Sequence, residues 1–167
     1  MNSRARLRAE IEAWGTILFI DVASEKVGEE KLNEGIEECR RYFYFINEYF
    51  STYKDQSEVS RLRRGEIKLE DCHADVQEVW ALCEYAKQIS DGYFDPWCVD
   101  GGFDPSGYVK GWAADRAIEK LKAVGGESIQ INCAGDLSLA GGFEDGKPWS
   151  IGIRHPEHKD EIVKVYD

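Results

Sequence analysis

The sequence predicts an α+β fold, with helices packed on one face of a largely antiparallel sheet. Three observations lead there. Two long segments carry apolar residues at helical spacing. A third such segment follows a loop rich in Gly and Pro. Short alternating apolar runs bounded by glycines fill the C-terminal part. The chain has 167 residues, 43% hydrophobic and 32% charged, enough for a single domain with a real hydrophobic core.

Taken in order, Thr16 to Val22 (TILFIDV) is a β-branched, apolar run and predicts a buried strand. Ser24 after it has the character of a helix N-cap. Leu32, Ile36, Cys39, Phe43, Ile46 and Phe50 recur at steps of four and three and define one face of a helix, widened by Tyr42, Tyr44 and Tyr49. That stripe reads as core packing, not as an aromatic ligand box. The polar stretch from Phe50 to Glu66 has no sustained period and predicts mostly loop. A second helix is expected from about Ala74 to Ile89, with Val76, Val79, Cys83 and Ala86 inward and Gly92 just past its end. The stretch DGYFDPWCVDGGFDPSG is turn-rich. A third helix is expected from about Lys110 to Val124, with Ala113, Ala117, Leu121 and Val124 inward and Gly125-Gly126 as its stop. Alternation then predicts strands over Ser128 to Cys133, around Leu137 and Leu139, through Trp149, Ile151 and Ile153, and over Ile162 to Asp167 (IVKVYD). There is no internal repeat and no low-complexity segment.

Composition excludes some functions. A net charge of -11 argues against a nucleic-acid surface, because phosphate neutralisation needs clustered Lys and Arg. An anionic ligand would have to be held locally, by backbone N–H groups or a metal. The five cysteines form no CxxC pair, so metal and disulfide readings are both weak, and Cys39 and Cys83 read as buried thiols. No apolar run approaches the ~20 residues that span a bilayer. The N-terminal stretch MNSRARLRAEIEAW lacks the apolar core of a signal peptide, so the chain as it stands reads as cytoplasmic.

Three stretches could carry chemistry. In FDPSGYVKGWAADRAIEKL, Phe103 to Leu121, a Gly-containing loop feeds a helix start, and Lys110 falls in the expected first turn. The helix dipole disfavours a cation there, and an anion in front of it would relieve the conflict. A surface helix that begins with a lysine is the commonplace reading of this stretch alone, and the GK[ST] ending of a phosphate-binding Walker loop is absent. Asp95 and Asp104 sit in two FDP triplets. Asp before Pro starts turns, but a fixed carboxylate can also accept hydrogen bonds from a polar ring edge or sugar-like hydroxyls. NCAGDL, Asn132 to Leu137, breaks a strand pattern with Ala-Gly, either as a bulge or where a ligand meets the backbone.

In order along the chain, WGT (Trp14 to Thr16), FSTYKDQSEVSRL (Phe50 to Leu62), DGYFDP (Asp91 to Pro96), DPSGYVKGWAADRA (Asp104 to Ala117), NCAGDL and WSIGIRHP (Trp149 to Pro156) resemble the ApbE-like flavin transferases, the FAD:protein FMN transferase family. The resemblance implies a tunnelling-type fold (T-fold), one antiparallel sheet with helices packed on one face. It also implies magnesium-dependent transfer of the FMN half of FAD to a Thr or Ser hydroxyl of a flavin-acceptor protein, with release of AMP. FAD is the substrate and magnesium the cofactor. Some relatives instead hydrolyse FAD to FMN and AMP, and a non-catalytic flavin-binding or interaction module is the further alternative. Family members are often membrane-anchored lipoproteins.

The resemblance also implies roles. Trp14, in place of a usual Met, and Tyr53 would line the flavin pocket. Tyr93, Phe94 and Asp95 match a segment that contacts FAD. Asp104 and Lys110 match FAD-contacting positions and are the candidate catalytic pair, and the Gly107 carbonyl matches a magnesium ligand. The chemistry agrees: phosphoryl transfer from a pyrophosphate needs charge neutralised at the bridging and leaving oxygens, and magnesium takes oxygen ligands.

The sequence departs from the family at Trp14, at Arg63 where Asn is common, and in a short gap between DGYFDP and DPSGYVKG. The family continues with a D-x-x-x-T magnesium segment, and this chain stops at Asp167 before any such segment. Nothing earlier replaces it, since His155 and His158 read as solvated loop histidines. The expectation is therefore the N-terminal part of one flavin transferase domain over residues 1–167, without its C-terminal metal segment and with weak or absent activity by itself.

Overall fold

Between Ala5 and Ala13 small and apolar residues alternate with Arg6, Arg8, Glu10 and Glu12. In the computed structural model, which describes residues 4–143, 146–158 and 160–166, this alternation forms β1 (Ala5–Ala13), a strand not expected from the sequence. Ala5, Ile11 and Ala13 are buried, and Leu7 and Ala9 pack against the core. β1 pairs antiparallel with β2 (Thr16–Ser24), from Ala5↔Ser24 to Ala13↔Thr16. The two-residue loop between them, Trp14-Gly15, has φ of 57 and 71°. Positive φ at both positions is what a type I′ hairpin turn requires.

β2 pairs antiparallel with β3 (Ser128–Cys133), which pairs antiparallel with β4 (Asp136–Ala140). The strand order is β1-β2-β3-β4. The Ala-Gly interruption in NCAGDL is a second tight hairpin turn. Ala134 and Gly135 both have positive φ, and the Asn132 Oδ1 accepts the Gly135 N–H at 2.8 Å.

The chain between β2 and β3 carries the helices: α1 (Glu29–Phe50), α2 (Glu58–Arg63), a 3-10 turn at Leu69–Asp71, α3 (Ala74–Ile89) and α4 (Ser106–Ala123). α1 and α4 pack against each other and on one face of the four-stranded sheet. Leu18, Ile20, Val22, Ile129 and Ile131 meet Leu32, Phe43 and Ile46 of α1 and Ala113, Ala117 and Leu121 of α4, all essentially fully buried. Each large side chain so buried contributes about 1.5–3 kcal/mol of transfer free energy. Gly35 lets the two helices close together, because a Cβ there would lie 2.6 Å from Val124 Cγ2. The opposite sheet face leaves Ile17 and Phe19 nearly half exposed.

β5 (Ile151–Arg154) and β6 (Ile162–Tyr166) form a separate antiparallel hairpin with an irregularity at Ile153/Arg154. Asp167, expected at the end of the last strand, lies outside the described residues, as do the first three residues of the N-terminal basic stretch. No helix among the described residues is long and apolar enough to cross a membrane.

Three boundaries differ from expectation. Ser24 does not cap a helix. It ends β2, and its hydroxyl accepts the N–H groups of Lys26 and Val27 at 3.0 and 3.3 Å, while α1 begins after Gly28 with no side-chain cap. The stretch expected as loop contains α2, whose N-cap Ser57 accepts the Ser60 N–H at 3.0 Å. Six residues are too few for a periodic stripe to show in sequence. Finally, α4 starts at Ser106, not Lys110. The helix between Ala74 and Ile89 falls where its periodicity puts it.

Candidate active site

The two hairpin turns and the start of α4 meet around a cleft of about 560 Å³. Trp14, Gly15 and Thr16 form one wall. Phe50 and the 51–54 segment, at the C-terminal end of α1, form a second. Ser106, Val109 and Lys110 of α4 form a third, with Ala134 of the β3–β4 turn beside them.

Trp14 occupies its wall at a conformational cost. A bulky residue at positive φ is strained by about 1–3 kcal/mol. The ring is held by its Nε1–H, which donates to the Phe43 carbonyl at 3.1 Å, and by an edge-to-face contact with the Phe43 ring at 5.3 Å. Phe43 is fully buried, so the indole is anchored on the core while the cleft remains beside it. Tyr53 is 97% exposed at the cleft margin and available to a ligand.

Lys110 stands in the second turn of α4, beyond the first turn where the helix dipole would oppose it. An anion does face it, and the chain supplies that anion: Lys110 Nζ lies 3.0 Å from Asp136 Oδ2 at the start of β4. Lys54, the other lysine in the cleft lining, pairs with Glu48.

The remaining expected residues sit in the adjoining 91–105 loop and the first turn of α4, not in the cleft lining. Tyr93 is 98% exposed. Asp95 pairs with Lys87 at 2.7 Å and accepts the Trp97 N–H at 3.0 Å. The Lys87 hydrogen bond, followed by the Trp97 N–H, holds its carboxyl below the usual carboxylate range. Asp104 Oδ1 accepts the Ser106 N–H at 2.9 Å and so satisfies one orphan donor at the start of α4. The Asp104 N–H donates to the Pro96 carbonyl at 2.8 Å, tying the two FDP triplets together. Phe103, buried, stacks with Trp97 and packs on Trp80 of α3. Phe94 lies over the first turn of α4, where a Cβ on Gly107 would approach its ring to 3.3 Å.

Arg63 braces this loop. Its guanidinium donates to the Gly101 carbonyl at 3.2 Å and the Asp100 carbonyl at 2.7 Å. Asp136 is the functional candidate that residue-level reading missed. It was visible in NCAGDL, but only a tertiary contact reveals its partner.

The donor set for a magnesium ion is thin. Among the described residues no group of three or more His, Cys, Asp or Glu could hold a metal. The Gly107 carbonyl, in the first turn of α4, is one oxygen where magnesium takes six ligands. These residues by themselves do not make a magnesium site. His155 and His158 have rings 4.7 Å apart, but His155 Nδ1 accepts the N–H groups of Glu157 and His158 and shapes its own turn. Four cysteines are buried and all five are free. Burial pushes the Cys39, Cys83 and Cys133 thiols up to about 12.

The model of the ApbE family matches residues 14–100 and 99–167. An FAD:protein FMN transferase of Vibrio cholerae serotype O1 is 33% identical over 61 residues, 36% of this chain and 18% of that protein. The FAD:protein FMN transferase of Haemophilus influenzae is 32% identical over 53 residues, 32% of this chain and 15% of that protein. The matched stretches thus span less than a fifth of these curated relatives. A solved flavin transferase ApbE from Vibrio cholerae superposes with a TM-score of 0.80 at 19% identity, over 98% of this chain and 68% of that one. That likeness bears on the fold, and the antiparallel sheet with helices on one face accords with it.

Proposed function

The chain belongs to the ApbE family, and from that premise we propose that it forms the flavin-binding part of an FAD:protein FMN transferase. The observation that carries this reading is the cleft itself. It sets an anchored indole, an exposed phenol and a lysine around one space of about 560 Å³. An isoalloxazine ring is flat, with a polar edge, and its faces stack on aromatic side chains, while a pyrophosphate seeks cations.

In this reading the flavin packs on Trp14 with Tyr53 closing over it, and the phosphates reach Lys110. A Ser or Thr hydroxyl of the acceptor protein attacks the flavin-side phosphorus. The new O–P bond forms as the bond to the bridging oxygen breaks. AMP leaves with that oxygen, and the hydroxyl proton passes to solvent or a base. Lys110 stabilises charge developing on the phosphate oxygens, and it is worth most where water is excluded. Asp104 acts from one step back, by fixing the first turn of α4, and with Tyr93, Phe94 and Asp95 it offers contacts for the remainder of FAD. Magnesium would supply further neutralisation of the pyrophosphate. The Gly107 carbonyl would give it one oxygen ligand.

Incubation with FAD and Mg²⁺, with and without an acceptor protein bearing a Ser or Thr site, tests the proposal. The expected result is FMN covalently attached to the acceptor and AMP in equal amount. Free FMN forming at the same rate in both arms would identify an FAD pyrophosphatase instead. Absence of FAD binding would leave a non-catalytic module.

A further inference from the structure

The cleft lysine has a built partner. Lys110 Nζ and Asp136 Oδ2 are 3.0 Å apart, and the two side chains are 34% and 47% exposed. Both ends of the pair stand on rigid ground. Asp136 follows directly on the β3–β4 turn, which is pinned by the Asn132 bond to the Gly135 N–H, and it is cross-strand neighbour to the fully buried Cys133. α4 is fixed against β4 by Ser138 Oγ, which donates to Asp115 Oδ1 at 2.6 Å, and by the fully buried Ala113 and Ala114.

A lysine tail has four rotatable carbons and sweeps a wide volume unless held. Its ammonium carries three donors, so pairing with one carboxylate leaves donors free for a ligand. The pair is open to water, so its attraction is modest and screened, and an incoming diphosphate is not shut out. We propose that Asp136 is a positioning residue, which holds the Lys110 ammonium at the cleft so that it meets the phosphates of the bound dinucleotide. This rests on the flavin reading of the cleft and adds to it a residue that acts through Lys110.

The test is a double-mutant cycle read by flavin fluorescence. FAD and riboflavin, which lacks phosphates, are titrated into the wild type, Asp136→Ala, Asp136→Asn, Lys110→Ala and the Asp136→Ala/Lys110→Ala double variant. Thermal melts confirm that each variant is folded. Asp136→Ala should weaken FAD binding by about fivefold, the ratio expected of a partly exposed ion pair, and leave riboflavin binding unchanged. Asp136→Asn, whose amide oxygen still accepts from the lysine, should recover part of the loss and serves if the alanine variant does not fold. In the Lys110→Ala background Asp136→Ala should have no further effect. Equal losses for FAD and riboflavin, a loss that persists without Lys110, unchanged binding, or tighter FAD binding would each overturn the positioning role while leaving the flavin reading intact. A wild type that binds neither ligand overturns both.

Discussion

Trp14 meets two demands with one side chain. It occupies a turn position that favours Gly or Asn, and it presents an indole to the cleft. The Nε1 hydrogen bond to the Phe43 carbonyl separates the two demands experimentally. Trp14→Phe keeps an aromatic face but removes that hydrogen bond. It should lower stability by about 1 kcal/mol in urea unfolding while flavin quenching is largely retained. Trp14→Ala should lose both. The ion pairs of Lys110 and Lys54 belong to the same scale. Each cleft lysine has its own carboxylate, so the cleft is not a bare positive field in an acidic protein.

At the scale of elements, the first turn of α4 and the junction of β2 with β3 matter most. Pro105 at the N-cap offers no side-chain acceptor, and Asp104 does that work from the preceding position. Asp104→Ala should therefore cost about 1 kcal/mol of stability, the usual loss of a helix cap. If Asp104 also contacts the ligand, FAD affinity should fall by more than the shift in melting accounts for. At the other end of the sheet, Glu127 pairs with Lys26 and accepts from the Glu25 N–H and the Ser24 hydroxyl. Led by the Lys26 hydrogen bond, these contacts hold its carboxyl down to about 2. A carboxyl lower in the folded than in the unfolded chain stabilises the fold above the unfolded value, and that stability is lost as pH falls through the folded value. The wild type should thus lose stability between about pH 4.5 and 2, and Glu127→Gln should flatten that part of the profile. Chemical unfolding of both proteins as a function of pH measures the difference.

Across the whole molecule, order should be uneven. The four-stranded sheet is backed by α1 and α4, whereas the β5–β6 hairpin leaves Ile153, Ile162, Val163, Val165 and Tyr166 about half exposed. A two-stranded hairpin is marginal in water by itself. Amide hydrogen exchange should therefore be much faster in β5 and β6 than in β2 and β3, and protection of the hairpin strands equal to that of β3 would contradict this picture. Several features were determined by the sequence. The stripe from Leu32 to Phe50 and the one from Val76 to Ala86 announce their helices, and Ile129 and Ile131 announce a strand, because a period of 3.6 or 2 states which face is buried. The family motifs likewise contain Trp14, Tyr53 and Lys110. β1 was hidden because its inward residues are mostly alanines between charges, and the start of α4 was hidden because Pro105 and Gly107 read as loop. Only the tertiary structure decided that Trp14, Tyr53 and Lys110 share one cleft, that Asp136 faces Lys110, and that the strands divide into two sheets. A local pattern fixes an element and its buried face. Which faces then meet is settled by packing between residues far apart in the chain, and no local period records it.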